Sequence, residues 1–290
     1  MNVVSSIRPS TFAAFGRFGS VTLRAAALCA LVAVAGCSLT KDDDTVDEPD
    51  VPAGQMYNQG LTLMQNGKLK AAAKLLEQVD QQHPYTEWAR KALIMTAFTN
   101  YRLGNYDDAV NASRRYISLY PASPDAGYAQ YIIGQSYFKQ IPEVTRDQDA
   151  TKKAIAAMQE VVDKYPTSEY VDDAQKAIVV ARDQLAGKEM QVGRYYLERK
   201  EYPAAINRFK LVVTDYANTR HVEEALYRLT AAYYAMGIVP EAQTAAAVLG
   251  HNFPNSQWYK DAYSLLQTGG VSPSESKGSW ISRAFRSVTG

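Results

Sequence analysis

The sequence predicts an all-α chain folded as a superhelical solenoid of five helix-turn-helix repeats, and three observations carry that prediction. A four-residue stop recurs as His83-Pro84-Tyr85-Thr86, Tyr120-Pro121-Ala122-Ser123, Tyr165-Pro166-Thr167-Ser168, Tyr216-Ala217-Asn218-Thr219 and Phe253-Pro254-Asn255-Ser256. Each copy is a ring, a proline (once alanine), any residue and a hydroxyl; proline cannot continue a helix, and a Ser or Thr two residues later can cap the next one. Seventeen residues before Pro84, Pro121, Ala217 and Pro254 lie Gly67, Gly104, Lys200 and Gly237, where a short turn is expected. Five residues after each of these turns stands an alanine, at Ala72, Ala109, Ala205 and Ala242, with Ala154 in the aligned third copy. A methyl at that place lets two helices approach where a larger side chain would hold them apart.

The chain opens with a segment of a different kind. Residues 1–36 carry Arg8, Arg17 and Arg24, no acidic residue, and an apolar run from Ala25 to Ala35. Eleven residues rise only about 16 Å as a helix, well short of a bilayer core of about 30 Å, so the run reads as a removed signal. It ends in Val34-Ala35-Gly36-Cys37, which resembles a bacterial lipobox and makes Cys37 the expected first residue of the mature chain and its lipid attachment point. Ser38 follows, where an Asp would resemble an inner-membrane retention signal, so the expected address is the periplasmic face of the outer membrane. Residues 37–53 are acidic and proline-bearing, with Asp42, Asp43, Asp44, Asp47, Glu48 and Asp50. Such a stretch is expected to be a flexible tether with an average span of roughly 20 to 25 Å.

Within the repeats, four and seven residues after the alanine come Leu76, Met158 and Phe209, and then Val79, Tyr116, Val161, Val212 and Leu249, an apolar face at helical spacing. Seven residues before the turns are the small residues Gly60, Ala97 and Gly193 on the first helix of a unit. This order of small, small, aromatic and proline resembles the tetratricopeptide repeat. The basic spacing is 37 residues rather than the usual 34 or so. It widens to 45 between Pro121 and Pro166, an excess expected in a loop from Lys139 to Gln148, and to 51 between Pro166 and Ala217. There the apolar pattern of Val171 to Leu185 has no breaker and predicts a long spacer helix. The expected organisation is repeats one to three over 54–167, the spacer and repeats four and five over 168–268, and a flexible tail with a short amphipathic segment over 269–290. That segment would fold against a partner or a lipid surface.

Composition removes several function classes. Of 31 basic residues three fall in the signal, leaving 28 against 30 acidic ones, a balance unlike that of a nucleic-acid binder. The two cysteines are Cys29, in the signal, and Cys37, so no disulfide is expected in the mature chain. His83, His221 and His251 are not spaced as metal ligands, and no nucleophile elbow, phosphate loop or CxxC is present. The expectation is a non-enzymatic chain with no cofactor and no metal.

The lipobox, the acidic tether, five repeats closing on Tyr-Pro-x-Ser, the Arg146-Asp147-Gln148 loop, and Tyr195-Tyr196-Leu197-Glu198-Arg199 with Ala205-Ile206-Asn207-Arg208 together resemble the BamD (ComL) family of outer-membrane β-barrel assembly lipoproteins. The resemblance implies that the N-terminal repeats receive C-terminal targeting signals of unfolded outer-membrane proteins and that the C-terminal repeats dock on the periplasmic part of the barrel subunit BamA, alongside other assembly-machine subunits. Projecting the repeat register puts Tyr57, Leu61, Met64, Ile94, Phe98, Tyr101, Arg102, Tyr128, Tyr131 and Phe138 on the concave face, aromatic with a basic edge. Arg208 stands where the other repeats have Leu75, Ala112, Ala157 and Ala245, and the resemblance puts it on the side that meets BamA, which makes it the candidate contact; the alternative is that it pairs with an internal carboxylate such as Glu198 or extends its head into water. Two other readings stay open at this level: a cell-division or cell-wall coordinator, which would usually lack a lipobox, and a pilus pilotin.

Overall fold

The computed structural model describes residues 51–289; the predicted signal, the lipid site at Cys37 and the tether up to Asp50 lie outside the described residues. Twelve α-helices and no strand are found among the described residues: α1 Ala53–Gln65, α2 Leu69–Gln82, α3 Glu87–Leu103, α4 Tyr106–Leu119, α5 Ala126–Lys139, α6 Asp149–Lys164, α7 Val171–Glu198, α8 Tyr202–Asp215, α9 Val222–Ala235, α10 Val239–Asn252, α11 Gln257–Thr268 and α12 Trp280–Thr289. The pairs α1/α2 to α9/α10 are the five repeats, each helix packing against the next in the chain. First helices also touch their counterparts in the following repeat from α1 through α3 and α5 to α7.

The expected turns share one geometry. Gly67, Gly104, Lys200 and Gly237 all sit in the left-handed region, at φ of 72°, 79°, 61° and 74°. In each, the amide after the turn residue reaches back five residues, as in Asn105 N to Asn100 O at 3.0 Å and Glu201 N to Tyr196 O at 2.9 Å, the pattern that closes a helix C-terminus. Lys200 adopts it without glycine's freedom, at a cost of roughly 1 kcal/mol.

The caps are less uniform than the repeated hydroxyl suggests. Thr86 and Ser256 cap α3 and α11, accepting from Ala89 N at 3.0 Å and Trp258 N at 3.2 Å. Ser123, Ser168 and Thr219 do not cap, because a tight turn intervenes and α5, α7 and α9 start after Asp125, Tyr170 and His221. There the Ser123 and Ser168 hydroxyls accept from the amides of Asp125 and Tyr170, stabilising the turn instead of the helix.

The packing explains the small residues. Ala72, Ala109, Ala154, Ala205 and Ala242 are completely buried. Gly60 faces Leu76, Gly134 faces Met158 and Gly193 faces Phe209, each so closely that a methyl would collide with the opposing side chain; at Gly60 it would lie 2.8 Å from Leu76 Cδ2. Where the second helix carries a small residue the first need not be glycine: Ser113 in repeat two stands at the register of Leu76 and Phe209, with Ala97 at that of Gly60 and Gly193, and all four partners in these two arrangements other than the glycines are buried. Bulk on one helix is matched by its absence on the other.

Two features depart from the expected organisation. The division of the core falls inside α7, not at residues 167/168: Ala174, Ala177 and Ile178 pack with Met158 and Val161 of repeat three, whereas Ala186 and Met190 join the core built around Phe209. The long helix is thus a shared wall as well as a spacer. Of residues 269–290, expected as a flexible tail, the described part up to Thr289 returns to the repeats. Gln243 Nε2 donates to Ser272 O at 2.7 Å and Ser276 N to Thr244 Oγ1 at 3.2 Å, after which α12 packs on α10 and α8. Ile281 and Phe285 are buried, Phe285 meets Phe253 edge to face at 6.3 Å, and Trp280 Nε1 donates to Tyr233 Oη at 3.0 Å. The segment's apolar stripe has an intramolecular partner, so its burial outweighs the entropy of ordering the connection.

Candidate binding face

The first helices of repeats one to three carry a run of neighbouring rings. Phe98 on α3 lies 6.4 Å from Tyr128 on α5; Tyr128 lies 4.9 Å from Tyr170, and Tyr131, one turn along α5, stacks on the same Tyr170 at 4.8 Å. These separations are those of favourable ring pairs. At the α1 end Tyr57 packs 5.5 Å from Trp88, and Tyr101 packs 6.0 Å from Tyr106. Tyr57, Phe98, Tyr101, Tyr128 and Tyr131 are half-buried: one side of each ring rests on the core and the rest is presented outward. Leu61, Met64 and Phe138 are half-buried as well. Ile94 departs from this set. It is only 7% exposed and belongs to the core cluster that also holds Ala97, Ala109, Tyr116, Ala129 and Ile132.

Tyr170 and Trp88 were not singled out by the register, since both sit at the entry to a helix, outside the turns that carry the repeat. The available signal was local: each follows a ring-proline stop by a few residues, where the chain crosses from one repeat to the next.

Burial raises the phenol pKa of Tyr128 far above its usual value, and the neighbouring Tyr170, Tyr131 and Tyr101 push it further. Burial also raises Tyr131, partly offset by Gln135, whose Nε2 donates to its hydroxyl at 2.7 Å. Tyr57, Tyr101 and Tyr170 are raised chiefly by burial too. These hydroxyls stay protonated at neutral pH and keep both donor and acceptor capacity. Arg102, exposed in the last turn of α3, holds its guanidinium 5.7 Å from the centre of the Phe98 ring.

The same register positions are charged in the C-terminal half. Arg194 follows Gly193 as Phe98 follows Ala97, and Glu224 precedes Thr230 by six residues as Tyr128 precedes Gly134. The ring pair of repeats two and three is replaced by a two-pronged ion pair, Arg194 Nε and Nη2 each 2.8 Å from Glu224, with Arg228 Nε joining at 3.2 Å. Arg228 also lies over Tyr227 and Trp258, at 5.5 and 5.7 Å. Burial pushes the Glu224 carboxyl up, but Arg194 and then Arg228 outweigh it and hold the group below its ordinary value of 4.5. A carboxyl with a depressed folded-state pKa stabilises the fold above its unfolded pKa and loses that contribution as pH falls through the folded value. Melting temperature is therefore expected to fall steeply in acid below about pH 4.5, and Glu224→Gln, less stable at neutral pH, is expected to show a shallower acid loss. Parallel melts of the two proteins from neutral to acid pH check this; equal slopes would remove Glu224 as a source.

Arg208 is half-buried on α8 and pairs with Glu189 of α7 at 3.1 Å, not with Glu198. One helical turn separates Glu189 from Gly193, which puts it beside the α8 face that Arg208 occupies. Other clefts lie between successive second helices and the first helix that separates them: one of about 410 Å³ contains the ion pair of Asp80 and Arg115 at 2.6 Å, and one of about 390 Å³ lies between Arg114, Tyr137 and Lys153. Among the described residues no group of three or more His, Cys, Asp or Glu is placed to hold a metal, and no helix is long and apolar enough to cross a membrane.

Residues 49–249 match the family model YfiO, described as an outer membrane lipoprotein. The chain is 42% identical over 255 residues to the outer membrane protein assembly factor BamD of Caulobacter vibrioides, covering 88% of this chain and 84% of that one. It is 38% identical to BamD of Rickettsia prowazekii, covering 80% of this chain and 91% of that one. Among solved structures, the TPR2AB domain of yeast Sti1 in complex with an HSP90 peptide aligns at a TM-score of 0.39 and 16% identity, over 75% of this chain and 86% of that one. With a family model matched along most of its length and BamD relatives aligned over four fifths of it or more, this tetratricopeptide-type solenoid belongs to the BamD family.

Proposed function

We propose that the chain is a lipid-anchored, non-enzymatic subunit of the outer-membrane β-barrel assembly machinery, held through Cys37 at the periplasmic face of the outer membrane. In this reading the first-helix face of repeats one to three receives C-terminal segments of unfolded barrel proteins, and repeats four and five dock on a BamA-type subunit. The observation that carries it is the ladder of half-buried rings from Phe98 through Tyr128 and Tyr170 to Tyr131. An extended strand presents alternate side chains to one face at a spacing of nearly 7 Å, which the 6.4 Å separation of Phe98 and Tyr128 approaches, and its unpaired backbone groups can bond to the protonated phenols. In repeats four and five the ion pair of Arg194 and Glu224 stands in for the Phe98–Tyr128 pair, while Tyr227 and Trp258 stay paired at 5.4 Å beneath Arg228, a mixed charged and aromatic surface that suits a folded partner with its own charges.

The test is photo-crosslinking of a peptide copying the last strand of an outer-membrane barrel, with probes placed in turn at Phe98, Tyr101 and Tyr128 and, for comparison, at Lys74 and Arg114 on second helices. Labelling confined to the first set supports the reading, and equal labelling of both faces defeats it. In the same preparation, co-purification with BamA should weaken in Arg208→Gln while the fold is retained, and Cys37→Ala should leave the membrane fraction. Arg208→Gln is preferred to a charge reversal, which would set two carboxylates together at Glu189.

A further inference from the structure

Arg102 differs from Arg90, Arg194 and Arg228 of the first helices. Arg90 has Asp125 at 3.9 Å, and Arg194 and Arg228 share Glu224, whereas among the described residues no carboxylate lies in ion-pair contact with Arg102. Its guanidinium is instead poised over Phe98, at the edge of the ring ladder. Arg102 is thus an exposed planar cation with no carboxylate partner among the described residues, bordering the ring ladder.

We infer that Arg102 and the Phe98–Tyr128 ring pair form a subsite for a chain end: an aromatic C-terminal residue whose ring packs against Phe98 and Tyr128 while its free carboxylate is held by the Arg102 guanidinium. The inference rests on the client-binding reading of this face and adds to it the group that is recognised. The geometry fits. In a C-terminal phenylalanine the carboxylate carbon lies about 5 Å from its own ring centre, and a guest ring at the usual 4.5 to 7 Å from Phe98 brings that carboxylate within reach of a guanidinium 5.7 Å from the same ring. The planar fork of arginine matches a carboxylate through two parallel hydrogen bonds. An internal segment of the same sequence has no carboxylate to offer, so the subsite distinguishes the end of a strand from its middle. The corresponding residues of the other repeats, Gln65, Lys139, Glu198 and Ala235, include no second arginine.

The experiment compares two decapeptides of alternating apolar residues ending in phenylalanine, one with a free C-terminal acid and one amidated, titrated against the detergent-solubilised full chain and followed by fluorescence anisotropy. The acid is expected to bind on the order of tenfold more tightly than the amide at low salt, with the gap narrowing as salt rises. Arg102→Gln should bring the acid down to the amide's affinity without changing the amide, and Arg102→Lys should restore part of the gap. A role for Arg102 in stability alone would not move the ratio of acid to amide. Equal binding of both peptides by the wild-type protein overturns the carboxylate subsite while leaving the client-binding reading intact; binding of neither overturns both.

Discussion

Truncating Phe209 to alanine is expected to destabilise the protein by about 3 to 5 kcal/mol. The ring is fully buried, seated against Gly193 at the centre of the core that joins α7 to α10 and α12. Because each repeat touches chiefly its neighbours, the loss should concentrate in repeats four and five, and hydrogen exchange should show faster opening there than in repeats one and two. The reciprocal change tests the cause. Gly193→Ala gains up to about 1 kcal/mol of helix propensity, yet its methyl would overlap the Phe209 ring, and overpacking of this kind costs about 1 to 3 kcal/mol. A net loss in denaturation midpoint is expected, partly recovered in Gly193→Ala with Phe209→Leu. If Gly193→Ala alone raised the midpoint, the close approach of α7 and α8 would have to be looser than the structure has it.

Ending the chain at Gly270 is the second large effect. It removes α12, and with it the burial of Ile281 and Phe285; at 1.5 to 3 kcal/mol for each such side chain the loss comes to about 3 to 6 kcal/mol. The truncation also takes away the Trp280 partner of Tyr233 and uncovers Phe253. A lower melting temperature and increased binding of a hydrophobic dye are expected together, since the newly exposed surface is what the helix had covered. An unchanged melting temperature with no dye binding would mean that α12 contributes nothing to the fold in solution.

The amino-acid sequence by itself determined the repeat. Proline stops, left-handed turns at Gly67, Gly104, Lys200 and Gly237, and buried alanines are local requirements, each met within one helix or one turn, so they are written at fixed spacing and can be read there. The long helix α7 and the loop after α5 were legible for the same reason, as an apolar pattern without a breaker and an excess in spacing. Only the tertiary structure decided which way side chains of equal hydropathy face. Ile94 and Phe98 are one helical turn apart on the same face of α3, yet the packing around them buries the first and leaves the second half-presented. Tyr170 joins the ring ladder because the chain crosses between repeats at that point, and Glu189, not Glu198, meets Arg208 because of the phase with which α8 packs on α7. The ion pair at the register of Phe98 and Tyr128 and the return of α12 belong to the same group: each depends on residues 30 to nearly 50 positions apart in the chain. Backbone signals act over three to seven residues, whereas the partner of a side chain is set by how whole helices pack, and that information is spread over the chain in no fixed spacing.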